Sequence, residues 1–203
     1  MSEKGRVEAF SDGVFAIAIT LLVLEIHVPE TARHESLWAA LGREWPSYFA
    51  YVVGFLIIGV MWLNHHTTFG CIATVNRPLL LLNLLLLMAI AAVPWPVELV
   101  ARYLDRGDQA SVAVAVLGLL MTAMSVTFTA FWQYALRHPS LLADGVSVPG
   151  SGRLRFALGL AAYPALTLLS FVSAPVTLAL HGVLALYYAF DQTLARAAAP
   201  AGA

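Results

Sequence analysis

The sequence predicts an all-α, polytopic membrane protein with six transmembrane helices in each subunit. Hydrophobic residues make up 60% of the 203 residues, charged residues only 11%, and the mean hydropathy is +0.79. Soluble domains carry about 25% charged residues. A soluble protein of this size could not hide so much apolar surface from water, so the solvent around most of the chain is lipid.

The composition also excludes several classes of protein. The net charge of -1 provides no basic field for binding nucleic acid. Cys71 is the single cysteine, which excludes an intrachain disulfide and a cysteine-rich metal site. The sequence contains no nucleophile–base pair and no cofactor motif, so we expect neither an enzyme nor a bound cofactor.

The first apolar segment, residues 10–28, is predicted to be a retained transmembrane helix. Its length is close to the roughly 20 residues that a span requires. Asp12 lies near its start, Glu25 and His27 lie near its end, and no small-x-small cleavage site follows. These features are unlike those of a cleaved signal peptide.

Five further apolar segments have the length of a span, and no soluble domain fits between them. Residues 1–194 are therefore predicted to form one membrane domain, followed by a short disordered tail at 195–203 that is rich in Ala, Pro and Gly. Pro94-Trp95-Pro96 interrupts the third span near its outer end. The five segments are residues 47–69, 79–101, 110–136, 154–173 and 174–190.

The acidic connector at residues 29–46 is predicted to contain a short helix at the membrane surface. Leu37, Trp38 and Leu41 fall on one helical face, and Ser36 precedes them as a candidate N-cap. A helix of this kind follows the interface and does not cross the bilayer.

The distribution of basic residues predicts the orientation of the spans. Six spans place both termini on one side, and that side holds seven basic residues against four on the other. The positive-inside rule then assigns both termini to the cytoplasm of a multi-pass cell-membrane protein. The inner set is Lys4, Arg6, Arg77, Arg137, Arg153, Arg155 and Arg196, and the outer set is Arg33, Arg43, Arg102 and Arg106.

Two polar residues, Ser11 and Asp12, open the first apolar helix. A carboxylate costs roughly 2.5–3.5 kcal/mol at the centre of a membrane helix, and less near the end, so it usually has a partner. One interpretation is that both residues cap the helix start, where the helix dipole favours an anion. The other is that they belong to a polar cluster with residues of another span.

The end of the second span supplies candidate partners in Trp62, His65 and His66. Adjacent histidines on a helix point about 100° apart, and the i, i+4 histidine pair of a zinc helix is absent, which disfavours a metal site. Hydrogen bonds from these residues to Asp12, Ser11 or Arg6 are favoured, because both clusters lie near the cytoplasmic ends of antiparallel spans. Which of the two histidines takes part is left open.

The middle of the first span carries an apolar face. Ile17, Leu21, Leu24 and Val28 share this face, and Thr20 borders it. The spacing alone favours lipid contact or core packing.

Two motifs resemble the transmembrane protein 175 family, the potassium channels of lysosomes and of bacteria. Arg6-x-x-x-Phe10-Ser11-Asp12, followed by the apolar run from Gly13 to Glu25, resembles the first-helix signature of that family. Trp62-x-x-His65-His66-x-x-Phe69 resembles its second helix. Six spans in a short chain match the bacterial branch.

The resemblance implies a potassium-permeable channel, assembled as a homotetramer in lipid, with the first helix of each subunit lining a central pore. It implies a hydrophobic constriction at Ile17 in place of a carbonyl selectivity filter, and further pore-lining positions at Thr20, Leu21 and Leu24. The only metal implied is transient K⁺ in the pore. The resemblance also implies an interhelical polar network made by Arg6, Phe10, Ser11, Asp12, Trp62, His65 and His66.

Two other functions are open at this stage. A secondary transporter or proton-coupled carrier would use membrane-embedded ionisable groups as relays. Against it, no central span is broken by Gly/Pro pairs with acidic residues at mid-membrane, and no internal repeat is evident. A non-transporting membrane scaffold is the second alternative. The relay candidates are Asp12, His65, His66, Glu98, His181 and Asp191.

Overall fold

The computed structural model describes residues 2–31, 34–146 and 150–190, and the regular secondary structure of this part of the chain is helical, with an isolated β-bridge between Ile72 and Leu142. The predicted tail at 195–203, Arg33, Asp191 and Arg196 lie outside the described residues, as do the side chains of Arg153 and Arg155. The helices are α1 Glu3–Leu21, α2 Leu37–Arg43, α3 Trp45–Gly70, α4 Arg77–Ala91, α5 Pro94–Tyr103, α6 Asp108–Arg137, α7 Gly150–Leu169 and α8 Ala174–Phe190.

Helix α1 begins seven residues before the predicted start of the first span. Ser2 is its N-cap, and the Ser2 hydroxyl accepts a hydrogen bond from the Gly5 amide at 3.1 Å. Glu3 adds a negative charge to the first turn, where the helix dipole favours it. Ser11 and Asp12 therefore lie inside the helix, and neither caps it.

The predicted third span is divided into α4 and α5. Pro94 has no N–H to donate, and its ring would clash with the carbonyl of Ile90 in a continuous helix. The chain accordingly leaves α4 after Ala91 and re-enters a helix at Pro94. The short helix α2 forms where the sequence of the connector predicts a helix, with the Ser36 hydroxyl accepting a hydrogen bond from the Ala39 amide at 3.2 Å.

Four segments of the described chain are long and apolar enough to cross a bilayer: Glu3–Glu25, Trp45–Gly70, Arg77–Tyr103 and Asp108–Arg137. The first includes a 3₁₀ turn, Leu22–Glu25, that extends α1. Helices α7 and α8 contribute shorter apolar stretches, Ala157–Leu169 and Ala174–Ala189. The all-helical, membrane-spanning character predicted from the sequence is confirmed.

Helices α3 and α6 are the centre of the bundle. Helix α3 packs against α1, α5 and α8, and helix α6 packs against α4, α5, α7 and α8. A large apolar core lies between them, and a smaller cluster around Phe69, Phe131 and Trp132 closes the end of the bundle near the C-termini of α3 and α6.

Two glycines let helices approach closely. A Cβ at Gly118 of α6 would lie 3.1 Å from the Cα of Thr167 in α7, and a Cβ at Gly54 of α3 would lie 2.9 Å from Val97 Cγ2 in α5. Lipid tails are as apolar as leucine, so close backbone packing of this kind is a main source of helix association in membranes.

Gly118→Ala should therefore lower the stability of the purified protein. The added methyl group forces α6 and α7 apart, and overpacking of this kind typically costs about 1–3 kcal/mol. A thermal melt in detergent measures the loss. Gly70→Ala is the matched control, because a Cβ there meets nothing within 4 Å and should leave the melt unchanged or raise it. Equal melting of the two variants would contradict the close approach.

Candidate functional site

Helix α1 has two faces of different character. Its inner face is held against the bundle by Ser11, Phe15, Ala18 and Leu22, each at most 2% exposed. These positions follow a spacing of 4, 3 and 4 residues, which places them on one side of the helix. α1 packs there against α3, α4 and α5.

The outer face of α1 contacts nothing in the described part of one subunit and is strongly apolar. Ile17 is 62% exposed and Leu24 is 68% exposed, and Leu21 and Phe10 are exposed beside them. Thr20 is also exposed, and its hydroxyl donates to the carbonyls of Ala16 at 2.8 Å and Ile17 at 3.0 Å. Because the proton is used within the helix, the lone pairs of the Thr20 oxygen are left to face outward.

A buried chain of hydrogen bonds fixes the inner face to two other helices. Asn83 of α4 donates through Nδ2 to the Ser11 hydroxyl at 3.0 Å, and its Oδ1 lies 2.9 Å from His65 Nε2 of α3. An amide oxygen can only accept, so Nε2 of His65 carries the hydrogen. Ser11 in turn donates to the Val7 carbonyl at 2.9 Å. The three side chains are each at most 2% exposed.

Aromatic rings surround this polar layer. The His65 imidazole stacks on Phe69 with ring centroids 4.5 Å apart, and the rings of Phe15 and Phe131 lie 5.2 and 6.4 Å away. Such packing leaves the imidazole one orientation in which Nε2 reaches Asn83. Among the described residues, no group of three or more His, Cys, Asp or Glu side chains is placed to hold a metal ion.

A second pair of contacts lies nearer the surface. The Trp62 indole donates from Nε1 to Asp12 Oδ1 at 2.9 Å, which links α3 to α1. His66 stacks on Trp62 with centroids 5.8 Å apart, and its Nδ1 lies 3.7 Å from a carboxylate oxygen of Glu8. Asp12 therefore takes the indole as its partner, and neither histidine hydrogen-bonds it directly.

The predicted network residues fall into two groups. Ser11, Asp12, Trp62, His65 and His66 all take part in contacts between α1 and the helices behind it. The side chains of Arg6 and Phe10 are exposed on the outer side of α1 and make no polar contact within the described part of the chain.

Asn83, which the sequence analysis missed, completes the polar layer behind α1. It connects Ser11 to His65, which do not bond each other directly. The available signal was its place in the run Leu79 to Met88, in which Asn83 is the single polar residue among leucines. An isolated amide in so apolar a span requires a buried partner.

Two further relay candidates, His181 and Glu98, lie away from this layer. His181 of α8 is buried and donates from Nδ1 to the Thr177 carbonyl at 2.9 Å. Glu98 of α5 pairs with Arg102 one turn later, at 2.5 Å, on the exposed surface.

Asn83→Leu should destabilise the protein by about 1–3 kcal/mol, because it leaves the buried His65 Nε2 without a partner. Trp62→Phe keeps the ring and removes the indole donor, and Asp12 is only half buried, so this variant should lose less stability. The free energies of unfolding of the purified Asn83→Leu and Trp62→Phe variants measure the difference.

Double substitution checks the cause of the loss. Adding His65→Leu to Asn83→Leu removes both polar partners, so the second change should cost less than it does in the wild-type background. Strict additivity of the two single losses would show that Asn83 and His65 do not act as a pair.

The chain is similar to proteins named as potassium channels. A family model described as the endosomal/lysosomal potassium channel TMEM175 matches residues 6–94. A potassium channel of Streptomyces collinus is 56% identical over 194 residues, which cover 95% of this chain and 94% of that protein. A potassium channel of Chamaesiphon minutus is 43% identical over 194 residues, which cover 93% of this chain and 94% of that protein.

The fold agrees with a solved structure of the same group. The crystal structure of a lysosomal potassium-selective channel TMEM175 homolog from Chamaesiphon minutus superposes with a TM-score of 0.82 at 39% sequence identity. The match covers 93% of this chain and 97% of that one. Sequence and fold agree over nearly the whole length of the chain, which therefore belongs to the TMEM175 family.

Proposed function

We propose that this chain is a potassium channel whose pore is lined by α1 from each of four identical subunits. Its bacterial relatives carry the name of potassium channels. The observation that supports the proposal most is the outer face of α1. Within one subunit, only 22% of an 18-residue apolar stretch of this segment is buried, against 44–50% of the corresponding stretches in the other three long segments.

Six crossings per subunit complete the proposed topology, with both termini in the cytoplasm of the cell. Four segments have full length, and α7 and α8 supply the fifth and sixth. α8 has 17 residues, so its axis is about 26 Å long, slightly short of a hydrocarbon core of about 30 Å. Local thinning of the bilayer accommodates a mismatch of this size at modest cost.

Four-fold symmetry would turn the outer face of α1 into the wall of a pore. A ring of four Ile17 side chains is apolar and has no oxygen ligand, so an ion must shed or distort its hydration shell there. K⁺ holds its shell less tightly than Na⁺ and passes at lower cost. An apolar ring of this kind also closes to water by dewetting, which makes it a gate.

Thr20 gives the proposed pore a polar edge next to this constriction. Its hydroxyl proton is bonded to the helix's own carbonyls, so four Thr20 oxygens would present lone pairs toward the axis. An acceptor ring favours a cation as it leaves or enters the apolar section. Leu21 and Leu24 extend the apolar wall, and Arg6 and Phe10 are placed to meet a neighbouring subunit.

The polar layer behind α1 serves this pore by fixing which face points inward. Ser11 and Asp12 bind Asn83 and Trp62 on the side of α1 away from Ile17. Rotation of α1 about its axis would break both contacts. The constriction thus has a defined position without any polar group of its own.

Purified protein should form a tetramer and pass K⁺. Native mass measurement in detergent should give four copies, and liposomes containing the protein should release K⁺ down its gradient without a coupled ion. A stable monomer or dimer in the membrane contradicts the pore. Flux that saturates and requires a second ion identifies a carrier instead.

Ile17→Asn should lower the preference for K⁺ over Na⁺ while total conductance holds or rises. The polar ring lets ions cross with more of their water, so the advantage of the weaker hydration shell is lost. The reversal potential in mixed K⁺ and Na⁺ measures the change.

Ile19→Asn is the matched control for this experiment. Ile19 lies about 200° around the helix from Ile17, is partly buried and packs against the core. Its substitution should reduce stability and leave the reversal potential of the surviving channels unchanged. A shift in Ile19→Asn with none in Ile17→Asn would place the pore on the other face of α1.

A further inference from the structure

A cavity between α3, α6, α7 and α8 lies apart from the proposed pore. Its volume is about 100 Å³, and one edge opens where Leu63 is exposed. Helix α1 contributes no residue to its wall. The mechanism of conduction makes no use of this space.

One part of the cavity wall is apolar. Met61, Met121, Met124 and Phe128 line it, and all but Met61 are buried. Methionine sulfurs make favourable contacts with aromatic rings, and their flexible side chains adapt to a ligand. An engineered apolar cavity of about 150 Å³ holds benzene. The space of about 100 Å³ is smaller than this, but it is open at one edge, so a single ring can occupy it with part of its surface toward the lipid.

The same wall carries polar atoms with unused hydrogen-bonding capacity. Ser125 is 91% buried, and its hydroxyl makes no hydrogen bond within the described part of the chain. Thr129, one turn later on α6, likewise makes none there. Asn64 donates from Nδ2 to the Val60 carbonyl at 2.9 Å, and its Oδ1 can accept a hydrogen bond on the cavity side of α3.

Gly159 of α7 keeps the polar end of the cavity open. A Cβ at this position would lie 2.8 Å from Ser125 Oγ and 3.0 Å from the Tyr188 hydroxyl, so any larger residue would fill the space in front of them. Polar groups buried in a membrane protein are costly unless they find partners. A ligand that hydrogen-bonds Ser125 Oγ removes that cost for this buried hydroxyl.

We propose that this cavity binds a neutral aromatic alcohol with a single ring, of the phenol class, which enters from the lipid. The ring lies among the methionines and Phe128, and the hydroxyl group bonds Ser125 and Asn64. The ligand is neutral because no residue lining the cavity is charged.

The cavity borders α3, the helix that contributes His65 to the polar layer. Asn64 and Thr68 line the cavity on α3, and His65, next to Asn64, bonds Asn83. A bound ligand thus contacts α3 within one turn of the contact that positions α1.

Fluorine NMR of 4-fluorophenol with the protein in nanodiscs tests the proposal, and fluorobenzene serves as the probe without a hydroxyl. The wild-type protein should bind 4-fluorophenol saturably and more tightly than fluorobenzene. Ser125→Ala should weaken 4-fluorophenol about 3- to 10-fold, the effect of one lost hydrogen bond, and leave fluorobenzene unchanged. This variant adds no bulk, so its folding is not at risk.

Ala185→Leu fills the cavity, since Ala185 is buried in its wall, and should abolish binding of both probes. Ala123→Leu on the exposed side of α6 is the matched control and should bind like the wild type. The proposal is overturned if the wild type shows no saturable binding beyond that of empty nanodiscs. It is equally overturned if Ser125→Ala binds 4-fluorophenol unchanged, or if Ala185→Leu binds as tightly as Ala123→Leu. None of these readouts depends on ion flux.

Discussion

The two hydrogen bonds of Asn83, to Ser11 and to His65, are the constraint on which the placement of α1 depends. In lipid an apolar helix gains little by facing its neighbours with one leucine or another, because the tails outside are equally apolar. A hydrogen bond is directional, so in lipid it strongly favours one rotation of the helix about its axis and one depth of the helix in the membrane. The Asn83 amide supplies it, since Nδ2 binds α1 and Oδ1 binds α3. The hydrogen bond from the Trp62 indole to Asp12 ties α3 to α1 a second time, one turn before His65 in α3.

These hydrogen bonds also determine how the polar contacts and the exposed apolar side chains are separated on α1. Ile17 comes six residues after Ser11, so it lies about 9 Å farther along the axis and about 240° around it. The polar contacts and the exposed apolar side chains can thus share one helix without touching each other. Phe15, Ala18 and Leu22 fill the inner face between the polar layer and the C-terminal end of the helix.

The sequence located most of this site but not its pairings. Ser11, Asp12, Trp62 and His65 were identifiable because polar residues in apolar spans require partners. Their actual partners depend on which helices adjoin, which is a property of the tertiary fold. The resemblance implied a network between Asp12 and the Trp and His side chains of the second helix, and of these Asp12 accepts a hydrogen bond from the Trp62 indole. The break at Pro94 was visible from the chemistry of proline, whereas the start of α1 at Glu3 was set by Ser2, outside the apolar run that defined the span.

The polar layer has a consequence for biogenesis, because it is closed within a single chain. Ser11, Asn83 and His65 find all the partners described here in their own protomer, so a subunit can reach its folded form before it meets another. In the proposed tetramer, assembly would then join folded subunits through the apolar outer face of α1 and leave the polar layer unchanged. Two variants of the chain produced together could accordingly enter the same proposed tetramer, because each subunit carries its own copy of the layer.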